Sequence, residues 1–359
     1  MLVGMVALPV SILAILREPS VQNFIVRFAS VYLSEKLDSE ISIGGLYVDY
    51  QLRVNLSDVL IKDQKGNDIL RAKQLKARYG EYSKEKSLLR LDQLFLDQAD
   101  IQLIKYKGDT SMNFSFIIDA FSSDTPKPDT GKPLKIVLNK LKIYDSYFRL
   151  ADLNKPKNDT GIDYSNLGLS RISLNMDDLV IDGDTISARI QNLSARERSG
   201  FYLKKLKGNV HLSPQGLKVD HLKVITDRSE LSMNLEFVFA EFKAFEDFVN
   251  EVRIETVIGN STLNLYDVGY FAPSLFELEN EFEISGTFIG PVSALRAKNF
   301  KFDFGRNTSL QGNLVINGLP NIYETFVNFN ITEFSTSLSD IYRFNIPGMN
   351  PSNCLPSLM

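Results

Sequence analysis

HLSPQGLKVDHLKVITDRSELSMNLEF, residues 211–237, decides the fold class. Apolar side chains stand at Leu212, Leu217, Val219, Leu222, Val224, Leu231, Met233, Leu235 and Phe237, and Lys, Asp, His, Ser, Asn and Glu stand between most of them. Within each short run the two kinds alternate with period two, the pattern of a strand with one apolar and one solvated face. SPQG (213–216) and TDRSE (226–230) supply the residues that reverse a chain between such runs.

The same period recurs in ISIGGLYVDY (41–50), LRLDQLFLDQADIQLIKY (89–106), KLKIYDSYFRLADL (140–153), RISLNMDDLVIDG (171–183), EVRIETVIGNSTLNLYDV (251–268) and ALRAKNFKFDF (294–304). Turn signals spaced about 9–12 residues apart predict an all-antiparallel meander. FSSDTPKPDTGKP (121–133) and NKPKNDTGIDYSN (154–166) are polar and Pro- or Gly-bearing, so both read as solvated loops. No comparable helical pattern follows residue 40.

Helical signals are confined to the start. MLVGMVALPVSILAIL (1–16) is uncharged, just short of the roughly 17–20 apolar residues that cross a bilayer. It reads as a single transmembrane anchor with its N-terminus clipped, with a signal peptide and a buried helix as the alternatives. Next, PSVQNFIVRFASVYLSEKLDSEI places Val21, Phe24, Ile25, Phe28, Val31 and Leu37 at helical spacing. That is an amphipathic helix fit to lie in a membrane interface or to plug the end of a sheet. The organisation expected is an anchor at 1–16, an amphipathic helix at 17–39, a first β segment at 40–120, a polar linker at 121–133, further β repeats at 134–345 and an irregular tail at 346–359.

Composition narrows the function classes. Of 359 residues 44% are apolar and 23% charged, enough for a folded core, and 40 basic against 44 acidic side chains argue against a nucleic-acid surface. One cysteine, Cys354, excludes a disulfide scaffold and a thiolate metal cluster. Both histidines, His211 and His221, fall on the polar side of their strands, away from a nucleophile–base arrangement or a zinc set. Asp182 and Asp184 around Gly183 make a turn, not a calcium loop. Gly44-Gly45 lacks the other residues of a phosphate loop and reads as a bulge or close backbone approach. No catalytic, cofactor-binding or metal residue is predicted, and no enzymatic activity.

The apolar face has three possible destinations. A sandwich or closed barrel would bury it against itself. A membrane barrel would turn it to lipid, but wants longer strands and aromatic girdles. A long sheet curled into a trough would line its concave side with the nine apolar residues of 211–237 and their equivalents. Contiguous exposed apolar patches beyond a few hundred Å² are rare unless something covers them, and lipid acyl chains suit such a lining. Arg196, Arg198, Lys204, Lys205 and Lys207 form the densest basic patch, a solvated face or a contact for acidic headgroups.

Three stretches carry a family resemblance. They are LREPSVQNFIVRFASVYLSEKLDSEISIGGLYVDYQLRVNLSDVLIKDQKGNDILRAKQLKARY near the start, YFRLADLN with GIDYSNLGLSRISLNMDDLVIDGDTISARIQNLSARERSGF in the centre, and DVGYFAPSLFELENEFEISGTFIGPVSALRAKNFKFDFGRNTSLQGNLVINGLP beyond it. Over roughly residues 10–345 the chain resembles the N-terminal portion of TamB and AsmA-like proteins. The resemblance implies a mostly β fold: an elongated, curled antiparallel β-sheet groove of the β-taco kind, preceded by a transmembrane or amphipathic helix. It also implies a single-pass inner-membrane protein with its bulk in the periplasm, phospholipids as cargo and an Omp85-type outer-membrane barrel as partner. The function expected is therefore to shield acyl chains during phospholipid transport between the membranes. The alternative is a structural or assembly module that aids outer-membrane protein insertion by β-strand augmentation.

Overall fold

The computed structural model describes residues 17–49, 51, 53–122, 133–321 and 324–343. The chain divides into two compact units, one made of Met1–Lys157, Asp163–Gly183 and Gln191–Arg198, the other of Asn158–Ile162, Asp184–Ile190 and Ser199–Met359.

The first unit opens with α1 (Pro19–Leu37), with Pro in its first turn, where the missing N–H costs nothing. It ends as Asp38 turns left-handed at φ 46°. Strands β1 (Ile41–Val48), β2 (Arg53–Lys62), β3 (Asp68–Ser83), β4 (Leu88–Lys105), β5 (Lys135–Asp152) and β6 (Asn166–Asp182) then pair in chain order. All are antiparallel except β4 with β5, which is parallel. A parallel pair needs a long crossover, and residues 106–134 provide it, with α2 (Ser115–Ser122) inside. Residues 123–132, most of the stretch expected as a polar linker, lie outside the described residues, and the expected all-antiparallel meander is corrected at the β4–β5 pair.

Register gives the sheet two unlike faces. Leu56, Leu75, Leu96, Ile143 and Leu174 stand opposite one another from β2 to β6. Beside them Val59, Ala72 and Ala99 form the buried core of this unit, the two alanines at 0% and 2% exposure. Strict alternation would put Leu56 and Val59 on opposite faces. The left-handed residue Asp58, at φ 49°, slips the phase by one and returns both to the core side. The same device recurs inside strands at Gln98, Asp145, Arg171, Asp178, His221 and Asn299. Each is the third residue of a four-residue phrase: LSDV (56–59), LDQA, IYDS, LSRI, MDDL, VDHL and AKNF. The displaced N–H groups find side-chain acceptors on a neighbouring strand: His221 N–H donates to Asn234 Oδ1 at 2.8 Å, and Asn299 N–H to Asn313 Oδ1 at 3.1 Å. Gly44 lies against left-handed Asp58, where a Cβ would approach the Asp58 Cβ to 2.9 Å.

Strand β7 (Thr185–Glu197) is divided between the units. The second unit contains β8 (Tyr202–Ser213), β9 (Gly216–Ile225), β10 (Glu230–Val238), β11 (Arg253–Asn264), β12 (Glu281–Gly290), β13 (Ala294–Phe304), β14 (Thr308–Asn317) and β15 (Phe326–Ser335), antiparallel and in chain order. Two inserted segments fold onto them. Residues 239–252, including α3 (Phe248–Glu251), bring Phe239, Ala244 and Val252 together as a buried cluster against Leu212, Leu217 and Phe237. Residues 265–278, starting with α4 (Leu265–Gly269), stack Tyr266, Tyr270 and Phe276 edge to face at 5.0–5.7 Å, with Phe201 also against Tyr270.

Two expectations are corrected here. No helix among the described residues is long and apolar enough to cross a membrane. The single-pass inner-membrane topology with a periplasmic bulk is set aside on that finding, and residues 1–16, on which the anchor was read, lie outside the described residues. The mostly antiparallel sheet of the β-taco kind is found as expected, but it is not strongly curled. The physical reason lies in how the apolar face is shielded. Apolar neighbours in long cross-strand rows leave one another half-buried, and the 239–252 segment covers part of that face with protein. The membrane-anchored lipid-transport reading is set aside with the anchor, since no described helix can cross a membrane.

Candidate docking edge

An open sheet has two edges, and each exposes backbone donors and acceptors that must be covered, blocked or used. At the β1 edge, helix α1 provides the cover. Its 19 residues span about 28 Å, and the eight of β1 span about 26 Å. The two elements run alongside in opposite directions. At one end Ser34 Oγ accepts the Ile41 N–H at 2.9 Å and donates to the Ile41 carbonyl at 3.2 Å. At the other, the Arg17 guanidinium donates to Tyr47 Oη at 3.0 Å and lies 5.6 Å from the ring centre. The side of α1 turned away from the sheet carries Phe24, Phe28, Val31 and Tyr32, all exposed, with Phe24, Phe28 and Tyr32 stacked one turn apart at 6.2–6.3 Å. The apolar stripe expected of this helix is thereby split: Leu37 is buried, while Phe24, Phe28 and Val31 face outward.

The β15 edge differs. β15 pairs with β14 on one side, and no strand among the described residues pairs with the other. Its sequence, FVNFNITEFS, contains no Lys, Arg or Pro, and Glu333 is its one charge. Edge strands usually carry such residues to refuse a further strand. Phe326, Val327, Ile331 and Phe334 are instead 48–63% exposed. Apolar rows lead to this edge across the unit: Val219, Leu235, Thr256, Phe288, Ala297, Leu314 and Phe329 stand successively opposite one another. Phe300 lies 6.0 Å from Phe329 and 5.7 Å from Phe288, which extends the aromatic surface to the last strand.

The far end of β15 is fixed by α5 (Leu338–Arg343). Asp340, at 1% exposure, reaches into the β13–β14 turn and accepts Asn307 N–H at 2.8 Å, Arg306 N–H at 3.4 Å and Thr308 Oγ1 at 3.2 Å. Gly305, at φ +65°, leaves the room; a Cβ there would stand 2.4 Å from Asp340 Oδ1. Burial raises the Asp340 pKa, but the hydrogen bonds from Asn307, Arg306, Thr308 and Ser337 outweigh it and hold the pKa below the usual carboxylate value. A folded pKa below the unfolded one stabilises the docked helix fully above the unfolded value, about 3.9, and the contribution is lost as pH falls through the folded pKa. Hydrogen-exchange protection of the Arg306 and Asn307 amides, corrected for intrinsic rate, is therefore expected to stay level from neutrality down to about pH 4 and to collapse below it. A decline beginning near neutrality would mean that another group holds the turn.

The nine lining residues predicted from 211–237 do come together. Leu212–Leu217–Phe237, Val219–Leu235, Leu222–Met233 and Val224–Leu231 are cross-strand pairs of β8, β9 and β10. Val219 and Leu222 are buried and the other seven half-buried. Leu212, Leu217 and Phe237 touch the 239–252 segment rather than an open channel. Arg196 and Arg198 belong to the first unit and Lys204, Lys205 and Lys207 to the second; Arg198 faces buried Asp163 at 3.5 Å and Lys204 meets Asp227 at 3.1 Å. Of the histidines, His221 is the left-handed residue of a bulge, and His211 Nδ1 shares a hydrogen bond with Ser187 Oγ at 2.8 Å on the exposed side of the sheet. Among the described residues no group of three or more His, Cys, Asp or Glu is placed to hold a metal ion. The residues of β15 were missed by the sequence reading, although Val327, Phe329 and Ile331 alternate there as clearly as elsewhere.

Compared with known proteins, the chain matches no family model, no curated protein and no solved structure.

Proposed function

We propose that this protein is a non-catalytic structural or assembly module that receives an extended segment of another polypeptide as an added strand on β15. The observation that carries the reading is the contrast between its edges: α1 lies along the one at β1, whereas the outer side of β15 has no partner strand among the described residues and is apolar and without the usual blocking residues. In strand addition the main-chain ladder supplies affinity and side-chain pockets on alternate positions supply selectivity. Exposed Val327 and Ile331, with Phe329 between them, offer such positions. The resemblance to TamB and AsmA-like proteins supports an assembly role, and an Omp85-type barrel is the partner proposed with it.

Photo-crosslinking residue by residue tests this in cells. Probes at 327 through 332 are expected to capture one polypeptide segment, with adducts stepping along it in a fixed register, while probes at Ser42 and Tyr47 on the β1 edge give none. Asn330→Pro, which removes a backbone donor from the strand, is expected to abolish the series. Equal capture at both edges, or adducts without register, would overturn the assignment.

A further inference from the structure

The parallel pairing of β4 with β5 creates a second feature, on the solvated face of the first unit. Arg53 stands opposite Arg78, and Arg78 opposite Gln93; one row along, Asn55, Lys76, Phe95 and Lys142 succeed one another from β2 to β5. With Lys140 these residues line a cleft of about 340 Å³ holding five cationic side chains. The chain as a whole has more acidic than basic groups, so the concentration is local. Like charges directly opposite one another destabilise a sheet, and nearby carboxylates offset only part of this charge. Asp49 binds Arg53 at 2.5 Å, and Asp92, which also accepts from Asn139, lies 3.7 Å from Arg78. Asp177 stands opposite Lys140 and accepts from Gln191. The Lys76 ammonium rests 5.2 Å from the Phe95 ring centre, and Lys140 and Lys142 are exposed. Register shifts on either side of Tyr79, next to Arg78, mark a local irregularity of β3, of the kind that re-aims a side chain.

We propose that this cleft binds a small anion bearing two or more phosphate groups. Arg53 and Arg78 supply planar forks matched to phosphate oxygens, and Lys76, Lys140 and Lys142 supply charge around them. The volume falls at the lower end of the range for small-molecule sites. The assignment is independent of strand addition at β15.

Calorimetric titration with pyrophosphate tests it, with tricarballylate as a polyanion lacking phosphorus. The Lys140→Glu, Lys142→Glu double variant alters two exposed side chains and is expected to weaken pyrophosphate binding about tenfold or more. Arg78→Lys keeps the charge, loses the fork, and is expected to weaken it as well. Vesicles containing cardiolipin, whose headgroup carries two phosphates, set against phosphatidylcholine, separate the sources: cleft-dependent vesicle binding assigns the phosphates to a headgroup, and pyrophosphate binding alone assigns them to a free metabolite. No binding of either probe at low ionic strength, equal binding of tricarballylate, or binding unchanged in the double variant would overturn the proposal.

Discussion

Phe239→Ala is expected to cost about 3–5 kcal/mol, the range for removing a buried phenyl ring from a packed core. The ring is 4% exposed. It meets Phe245 at 4.9 Å and Phe242 at 5.7 Å, and shares a buried cluster with Ala244 and Val252. That cluster, with Phe248 edge to face on Phe237 at 5.3 Å, holds residues 239–252 to the strands by apolar packing, so the cavity would loosen the segment from Leu212, Leu217 and Phe237. Because the chain has two compact units, a single unfolding midpoint is not well defined. The measurement is therefore hydrogen exchange of residues 211–252 in increasing urea. Phe242→Ala serves as the internal control: that ring is 45% exposed, and its loss is expected to cost less than half as much. Equal effects of the two variants would show that the segment lies on the strands without forming a core with them.

The apolar face was legible because period two holds in the short runs on either side of each left-handed residue, and the register rows of β8 to β10 join the residues read from 211–237. Its coverage was not legible. Alternation says which side is apolar and nothing about what lies over it; Phe239, Phe245 and Phe248 stand outside the alternating runs, between β10 and β11. The parallel β4–β5 pair was hidden for a similar reason. A strand carries no mark of its neighbour's direction, and the crossover at 106–134 looks like a loop until its ends are seen side by side. Arg53, Lys76, Arg78, Lys140 and Lys142 each read as ordinary solvated positions, and only register brings them to one cleft. The densest basic run in the sequence, around 196–207, divides between two units and is partly neutralised by Asp163 and Asp227.

One signal was present and passed over. In LSDV, LDQA, VDHL and AKNF the two outer residues are three apart, a spacing that breaks strict alternation. The structure keeps both on one face by turning the third residue left-handed. Asp, Asn and His tolerate that conformation better than most side chains, so the phrase has a chemical basis as well as a spacing. Read that way, the sequence places a left-handed residue inside strand after strand, and each one resets which residues face the core.

Asp267→Ala is expected to cost about 3 kcal/mol, because hydrogen bonds to a buried charged group are worth roughly 1.5–3 kcal/mol each and are not additive. Asp267 sits in α4 at 5% exposure. Its Oδ2 accepts Thr226 Oγ1 at 2.5 Å, Ser229 Oγ at 2.6 Å and Arg228 N–H at 3.2 Å. Those three residues are the β9–β10 turn read from TDRSE. Ser229 Oγ in turn accepts Asn264 N–H at 3.0 Å, and Arg228 lies 4.1 Å over the Tyr266 ring while it meets Glu279 at 3.3 Å. The carboxylate thus ties a hairpin turn to the segment that follows β11. Alanine would leave the Ser229 hydroxyl and the Arg228 N–H without the acceptor they use, and the Thr226 hydroxyl with only the Ser229 carbonyl at 3.3 Å. Since all three donors converge on one oxygen, Asp267→Asn can present its carbonyl oxygen there and is expected to lose only about 1 kcal/mol. The ordering of the two variants, read from exchange protection at residues 226–230 and 264–267, is the critical result. If asparagine proves as damaging as alanine, the negative charge itself holds the turn, and the convergence on a single oxygen is incidental.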